Sequence, residues 1–162
     1  MSGFIRFDFD GRLEEKAGQQ FVSGRGMFND GYTRIHRPEP HGFASSPPAG
    51  SKGLLLPSPG NPDFAVVLGL EHPGHRPADI PGGGSALYDA SGNIIKVVMG
   101  DGIVVDVTGT AFQIRKGGVT LTVSAAGVDI QGGTVKHNGK DIGDTHRHTG
   151  VVQGSDQTGV PA

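Results

Sequence analysis

Apolar and polar residues alternate along this chain with a period of two, and the period of a helix is never sustained over a full window. Ile5, Phe7 and Phe9 are separated by Arg6 and Asp8, the pattern of a strand with one buried face. Gly24, Gly26 and Gly31 punctuate the next stretch, and a Pro-rich loop runs from Ser45 to Gly50. Lys52 to Leu56 and Phe64 to Leu70 read as two further strands, with a turn of the type Pro57-Ser58-Pro59-Gly60-Asn61-Pro62 between them. The second of these, FAVVLGL, is a continuous apolar run, which predicts burial on both faces. About five short strands within about 70 residues fit a small barrel such as an OB-fold. Only Phe112 among the phenylalanines lies beyond Phe64. This first domain is assigned to residues 1–72, and the Pro- and Gly-rich residues 73–86 to a linker.

From Leu87 the pattern changes. Short apolar bursts begin at Ile103, Phe112, Val119, Val128 and Val135, with alternate spacings of nine and seven residues. Thr, Asp, Gln and Arg fill the gaps, and Gly109, Gly117-Gly118, Gly127 and Gly132-Gly133 separate most bursts. This is a quasi-repeat of strand and turn. Each burst offers only two or three inward side chains, no helix is available to cover them, and the strand edges would stay open. Several copies wound about one axis meet both needs, and three is the smallest number that fills a core. Residues 87–142 are therefore expected to form an intertwined trimeric β-helix, and residues 143–162 its tip; the pattern alone also admits half of an ordinary β-sandwich or a single-chain solenoid.

Composition supports an all-β reading. The 29 glycines and 11 prolines disfavour helix interiors, and an aromatic share of 6% excludes a large aromatic core. With 14 basic and 16 acidic residues there is no cationic excess to neutralise a phosphate backbone, so nucleic acid is not an expected partner. The absence of cysteine excludes disulfides, thiolate metal sites and a cysteine nucleophile. No apolar run approaches the roughly 18 residues of a membrane span. The first 16 residues mix charges with apolar side chains and do not read as a signal peptide, so the chain is expected to fold in the cytoplasm.

The C-terminal stretch Gly143-Asp144-Thr145-His146-Arg147-His148-Thr149-Gly150 carries the one constellation with chemistry. Two His at i and i+2 in an extended segment point to one side, about 7 Å apart at Cα. One chain supplies two ligands, too few for a closed site. Three chains about an axis would bring six imidazoles, an octahedral nitrogen set that suits iron, nickel or cobalt better than tetrahedral zinc. Asp144 could offset part of the ion's charge. His72 and His75 are broken by Pro73-Gly74 and read as linker surface, and His36, His41 and His137 as turn or surface residues. Asp101, Asp106 and Asp129 read as solvated. No phosphate-binding Gly loop, nucleophile elbow or H-E-x-x-H motif is present.

Three stretches together carry a resemblance: HRPEPHGFASSPPAGSKG, HRPADIPGGGSALYDASGNIIKV and THRHTGV. They resemble the Mu-type baseplate spike family of contractile-tailed phages, also called baseplate assembly protein V. The match runs over residues 36–162, and ALYD-x-x-GN-x-I and the terminal H-x-H are its most specific parts. The resemblance implies an N-terminal OB domain, a tapering trimeric β-helix, and one iron ion per trimer held inside the tip by His146 and His148 of three chains. It also implies possible calcium and chloride ions, with no residues to assign to them. It implies a homotrimer beneath the tail tube, docked to the tail hub and assembled in the host cytoplasm. On sheath contraction the spike is driven into the host outer membrane. A non-enzymatic mechanical role follows. The alternative is a trimeric receptor- or glycan-binding fibre tip, which the lack of aromatics beyond Phe112 disfavours.

Overall fold

The computed structural model describes residues 3–61, 64–150, 152, 154 and 155. A 3-10 turn lies at Met27–Asn29, and the elements that make up the fold are strands. The chain divides into two compact units after Thr108.

The first unit opens with β1 (Ile5–Lys16), β2 (Gln19–Arg25), β3 (Gly31–His36), β4 (Lys52–Leu56) and β5 (Val66–Glu71). They close into a barrel in the order β1-β2-β3-β5-β4. Ile5 lies beside Leu55 and Leu55 beside Val67; Val66 lies beside His36, His36 beside Phe21, and Phe21 beside Glu14. The ladder therefore meets β1 again well up the strand, the stagger that a tilted closed barrel requires. β1 is long because it serves two neighbours. Its first residues pair with β4, its remainder pairs with β2, and Asp8 faces Lys52 on one side and Arg25 on the other. A register shift between Phe9 and Leu13, with Gly11 at φ 95°, bends the strand between these tasks.

The alternation read from the sequence puts Phe7 and Phe9 inside. They join Val22, Ile35, Leu55, Ala65, Val67 and Leu70 in one buried cluster, with Ile5, Leu13 and Tyr32 packed against it. Full burial of a side chain such as Phe7 or Leu55 contributes about 1.5–3 kcal/mol.

One expectation is corrected here. The run FAVVLGL is not buried on both faces: Val67 and Leu70 point inward, whereas Phe64 and Leu68 are exposed. A barrel strand has one core face and one outer face, so half of any apolar run must point out. Positive φ angles at Gly69 and Leu70, beside a register shift against β4, bring Leu70 inward out of strict alternation.

The connection from β3 to β4 is tied to the barrel by Arg37, which is buried. Its guanidinium donates to the Gln20 Oε1 (2.6 Å), the Ser45 Oγ (2.9 Å) and the Gly69 carbonyl (3.1 Å), and pairs with Glu39 at 3.0 Å. Glu39 in turn accepts from the Ser45 hydroxyl and amide. Burial pushes the Glu39 carboxyl up, but the Ser45 hydrogen bonds and the Arg37 charge outweigh it and hold the group below its ordinary range.

Beyond the barrel, β6 (Ser85–Tyr88), β7 (Ile94–Val98) and β8 (Gly102–Asp106) form an antiparallel sheet in the order β6-β7-β8. Asp89 caps the β6–β7 turn by accepting from the Ser91 and Asn93 amides and from the Asn93 side chain. The second unit holds β9 (Ala111–Lys116), β10 (Val119–Ser124) and β11 (Gly127–Gln131) as a second antiparallel sheet with β10 central. A two-stranded ribbon follows, β12 (Lys136–His137) and β13 (Lys140–Asp141). Asn138 and Gly139, both at positive φ, make its turn.

Two predictions follow from the barrel. A Cβ at Gly24 would stand 2.2 Å from the Asp8 carbonyl oxygen and 2.7 Å from the Phe7 ring. Gly24→Ala is expected to cost about 1–3 kcal/mol, read as a lower urea midpoint for barrel unfolding. Because the folded-state pKa of Glu39 is depressed, its stabilisation is present above the unfolded-state value and is lost as pH falls through the folded one. Protection of the Ser45 amide, measured as its hydrogen-exchange rate against that of a free amide at the same pH, is expected to fall as pH drops through the depressed Glu39 value, and to be already lost at neutral pH in Glu39→Ala.

Candidate functional site

Two features stand out: the faces of the two sheets, and the loop after β13. In the β6–β8 sheet, Leu87, Ile95 and Val105 stand side by side across the three strands, and Val97 and Ile103 form the next row with Ser85. Directly opposed residues of an antiparallel sheet share a face. These five apolar side chains therefore form one surface. Within the single chain it is open, with Ile103 73% and Leu87 59% exposed.

The β9–β11 sheet repeats the arrangement. Ile114, Leu121 and Ile130 form one row, and Phe112, Val123 and Val128 the next. Val128 is 68% and Ile114 56% exposed. The opposite face carries Arg115, Thr120 and Gln131, then Gln113, Thr122 and Asp129. The two central rows of one face are thus apolar, with Val119 and Lys116 paired at its end, and the same rows of the other face are polar. β9 and β11 each leave one edge without a partner strand in the sheet. Both traits mark a surface built to be covered by another layer.

His146 and His148 lie in the loop after β13 and are exposed. Their rings are 5.1 Å apart and edge to face. His146 Nδ1 lies 2.6 Å from the Gly143 carbonyl oxygen. A carbonyl only accepts, so this contact places a proton on Nδ1, and in the neutral ring Nε2 then keeps a free lone pair. A metal-binding imidazole is held in this way, with one nitrogen tied to a carbonyl and the other presented. The residues present therefore fit a metal as two neighbouring nitrogen donors per chain. Among the described residues no group of three His, Cys, Asp or Glu side chains of one chain comes together. Within the stretch read as the tip, Val151, Gln153 and residues 156–162 lie outside the described residues.

The sequence reading missed the support beneath this pair. Asp141 accepts from the Gly143 amide (2.9 Å) and from the Thr145 hydroxyl (2.5 Å). The Thr145 bond first, then the Gly143 amide and the nearby His146 and Lys136, hold its carboxyl below the usual range against a small opposing desolvation. The signal available in the sequence was the Asn138-Gly139 hairpin turn, which locates an aspartate two residues on.

The remaining histidines take other parts. His36 is half-buried and its ring lies 5.6 Å from that of Phe21. The His72 and His75 rings lie 4.4 Å apart in one turn. There His72 Nδ1 accepts from the Gly74 amide at 3.1 Å, so that nitrogen's lone pair is spent on the turn.

Residues 11–74, most of the barrel, match the family model described as bacteriophage Mu Gp45, N-terminal. No curated protein matches the chain.

Proposed function

Through residues 11–74 the chain belongs to the Mu-type baseplate spike family, a structural family of the phage tail baseplate, and on that premise we propose that it is the spike that pierces the host outer membrane. In this reading the barrel is an OB domain that docks to the tail hub, and residues 87–142 form a trimeric β-helix that carries axial force. The observation that carries it is the pair of open apolar sheet faces. Rows such as Ile114–Leu121–Ile130 have no cover within their own sheet, and three copies facing a common axis would bury them. Continuous hydrogen bonding between chains would also leave no free edge to peel, which is what a rod under compression needs.

The tip is read as a metal clasp. Two imidazoles per chain give six about a three-fold axis, and iron is the ion that the family resemblance implies. A bound ion would supply cross-linking among three chains where little apolar surface remains. His146 and His148 would hold it; Arg147 between them is exposed. Mechanical work of this kind requires no catalytic residues, and none is assigned.

Two measurements test the reading. Leu121→Asp sets a carboxylate in the middle of the apolar row, and it is expected to abolish the trimer in mass measurements while leaving the barrel folded; a trimeric variant would refute the buried-axis arrangement. Elemental analysis is expected to give about one iron per three chains. The His146→Ala, His148→Ala double variant is expected to lose that iron yet remain trimeric, with faster proteolysis near the C-terminus; a wild-type trimer free of metal would remove the clasp.

A further inference from the structure

We propose that Asp141 is a positioning residue for His146, setting both the place of the ring and which of its nitrogens carries the proton. The ribbon β12–β13 holds Asp141 opposite Lys136, and the Ile142 amide donates to the Val135 carbonyl at 2.8 Å. From that anchored position one carboxylate oxygen takes the Gly143 amide and the other takes the Thr145 hydroxyl. The residue between them in function is Gly143. Its amide is held by Asp141, and its carbonyl receives both the His146 amide (3.2 Å) and the His146 ring at Nδ1. A Cβ at Gly143 would stand 3.2 Å from Asp141 Oδ1, so a larger residue there would require the carboxylate to shift by a few tenths of an ångström. The chain of contacts thus runs from a hydrogen-bonded hairpin, through one carboxylate, to the backbone carbonyl that selects the Nδ1–H tautomer.

The selection matters because a neutral imidazole free in water favours the proton on Nε2, which removes the lone pair from the outward nitrogen. Asp141 does not touch the ion in this scheme. It acts two bonds removed, as outer-shell groups do when they fix ring orientation and tautomer. The consequence for metal uptake rests on the proposed role of His146 and His148 as ligands; the consequence for the tautomer does not.

The test uses the full chain with Asp141→Ala, Asp141→Asn and Thr145→Val. In metal-free protein with neutral imidazoles, nitrogen-15 NMR is expected to report Nδ1–H at His146 in the wild type and a shift toward Nε2–H in Asp141→Ala. Titration with iron(II) or cobalt(II) is expected to give an affinity lower by about 10- to 100-fold in Asp141→Ala. Thr145→Val, which keeps the Gly143 contact, is expected to give a smaller loss. Asp141→Asn still offers an oxygen to the Gly143 amide and is expected to restore most of the wild-type behaviour. An Asp141→Ala chain with unchanged tautomer and unchanged affinity would overturn the proposal. A wild-type chain that takes up neither metal would overturn the ligand reading of the pair, and the tautomer comparison would still decide the role of Asp141.

Discussion

A sheet one layer thick has two faces, and water rewards burial of only the apolar one. In the β9–β11 sheet the rows Ile114–Leu121–Ile130 and Phe112–Val123–Val128, with Val119 beyond them, gather every large apolar side chain of the paired residues onto one side. The other side is built from Thr, Gln, Arg and Asp. No second layer comes from within that sheet, so the apolar side stays wet in a lone chain. The β6–β8 sheet meets the same constraint with Leu87, Ile95 and Val105. Repeated burial of such rows, at about 25 cal/mol per Å² of apolar surface, is the largest stabilisation open to this half of the chain. The need for cover from outside therefore governs how these strands can be used.

The barrel solves the same problem internally. Its ladder closes on itself, so it has neither a bare face inside nor a free edge, and its eight-residue core is complete in one chain. The buried charge it contains is also settled locally. Arg37 has oxygen partners on Gln20, Glu39, Ser45 and Gly69, so a cation that would be costly in isolation becomes a rivet between the β3–β4 connection and two strands.

Much of this was legible in the sequence. The alternation Ile5-Phe7-Phe9 located the inner face of β1, the bounds of β4 are those read from Lys52 to Leu56, and the bursts at 112, 119 and 128 became β9, β10 and β11. FAVVLGL misled because an apolar run carries no information on which half faces out, and that depends on closure of the sheet. Arg37 was silent because Gln20 and Gly69 are distant in sequence and its contacts to the Gly69 and Ser45 backbone oxygens leave no compositional trace. At the C-terminal loop the two histidines were readable as a spacing. Asp141 was not, because its importance lies in which amide and hydroxyl its oxygens reach, and only the folded turn decides that.

The contrast between the closed barrel and the open sheets has a kinetic consequence. Closure makes barrel formation a first-order event, as fast in dilute solution as in concentrated. In the proposed trimer the open apolar sheets would gain their cover by encounter, so their ordering would depend on how often chains meet. Joining both kinds of element in one polypeptide separates the two steps in time. Each barrel can be finished before any sheet is covered, and when barrels are held together the local concentration of sheets rises to about the millimolar range. The same tether that joins a self-sufficient fold to a dependent one thereby sets the order of assembly.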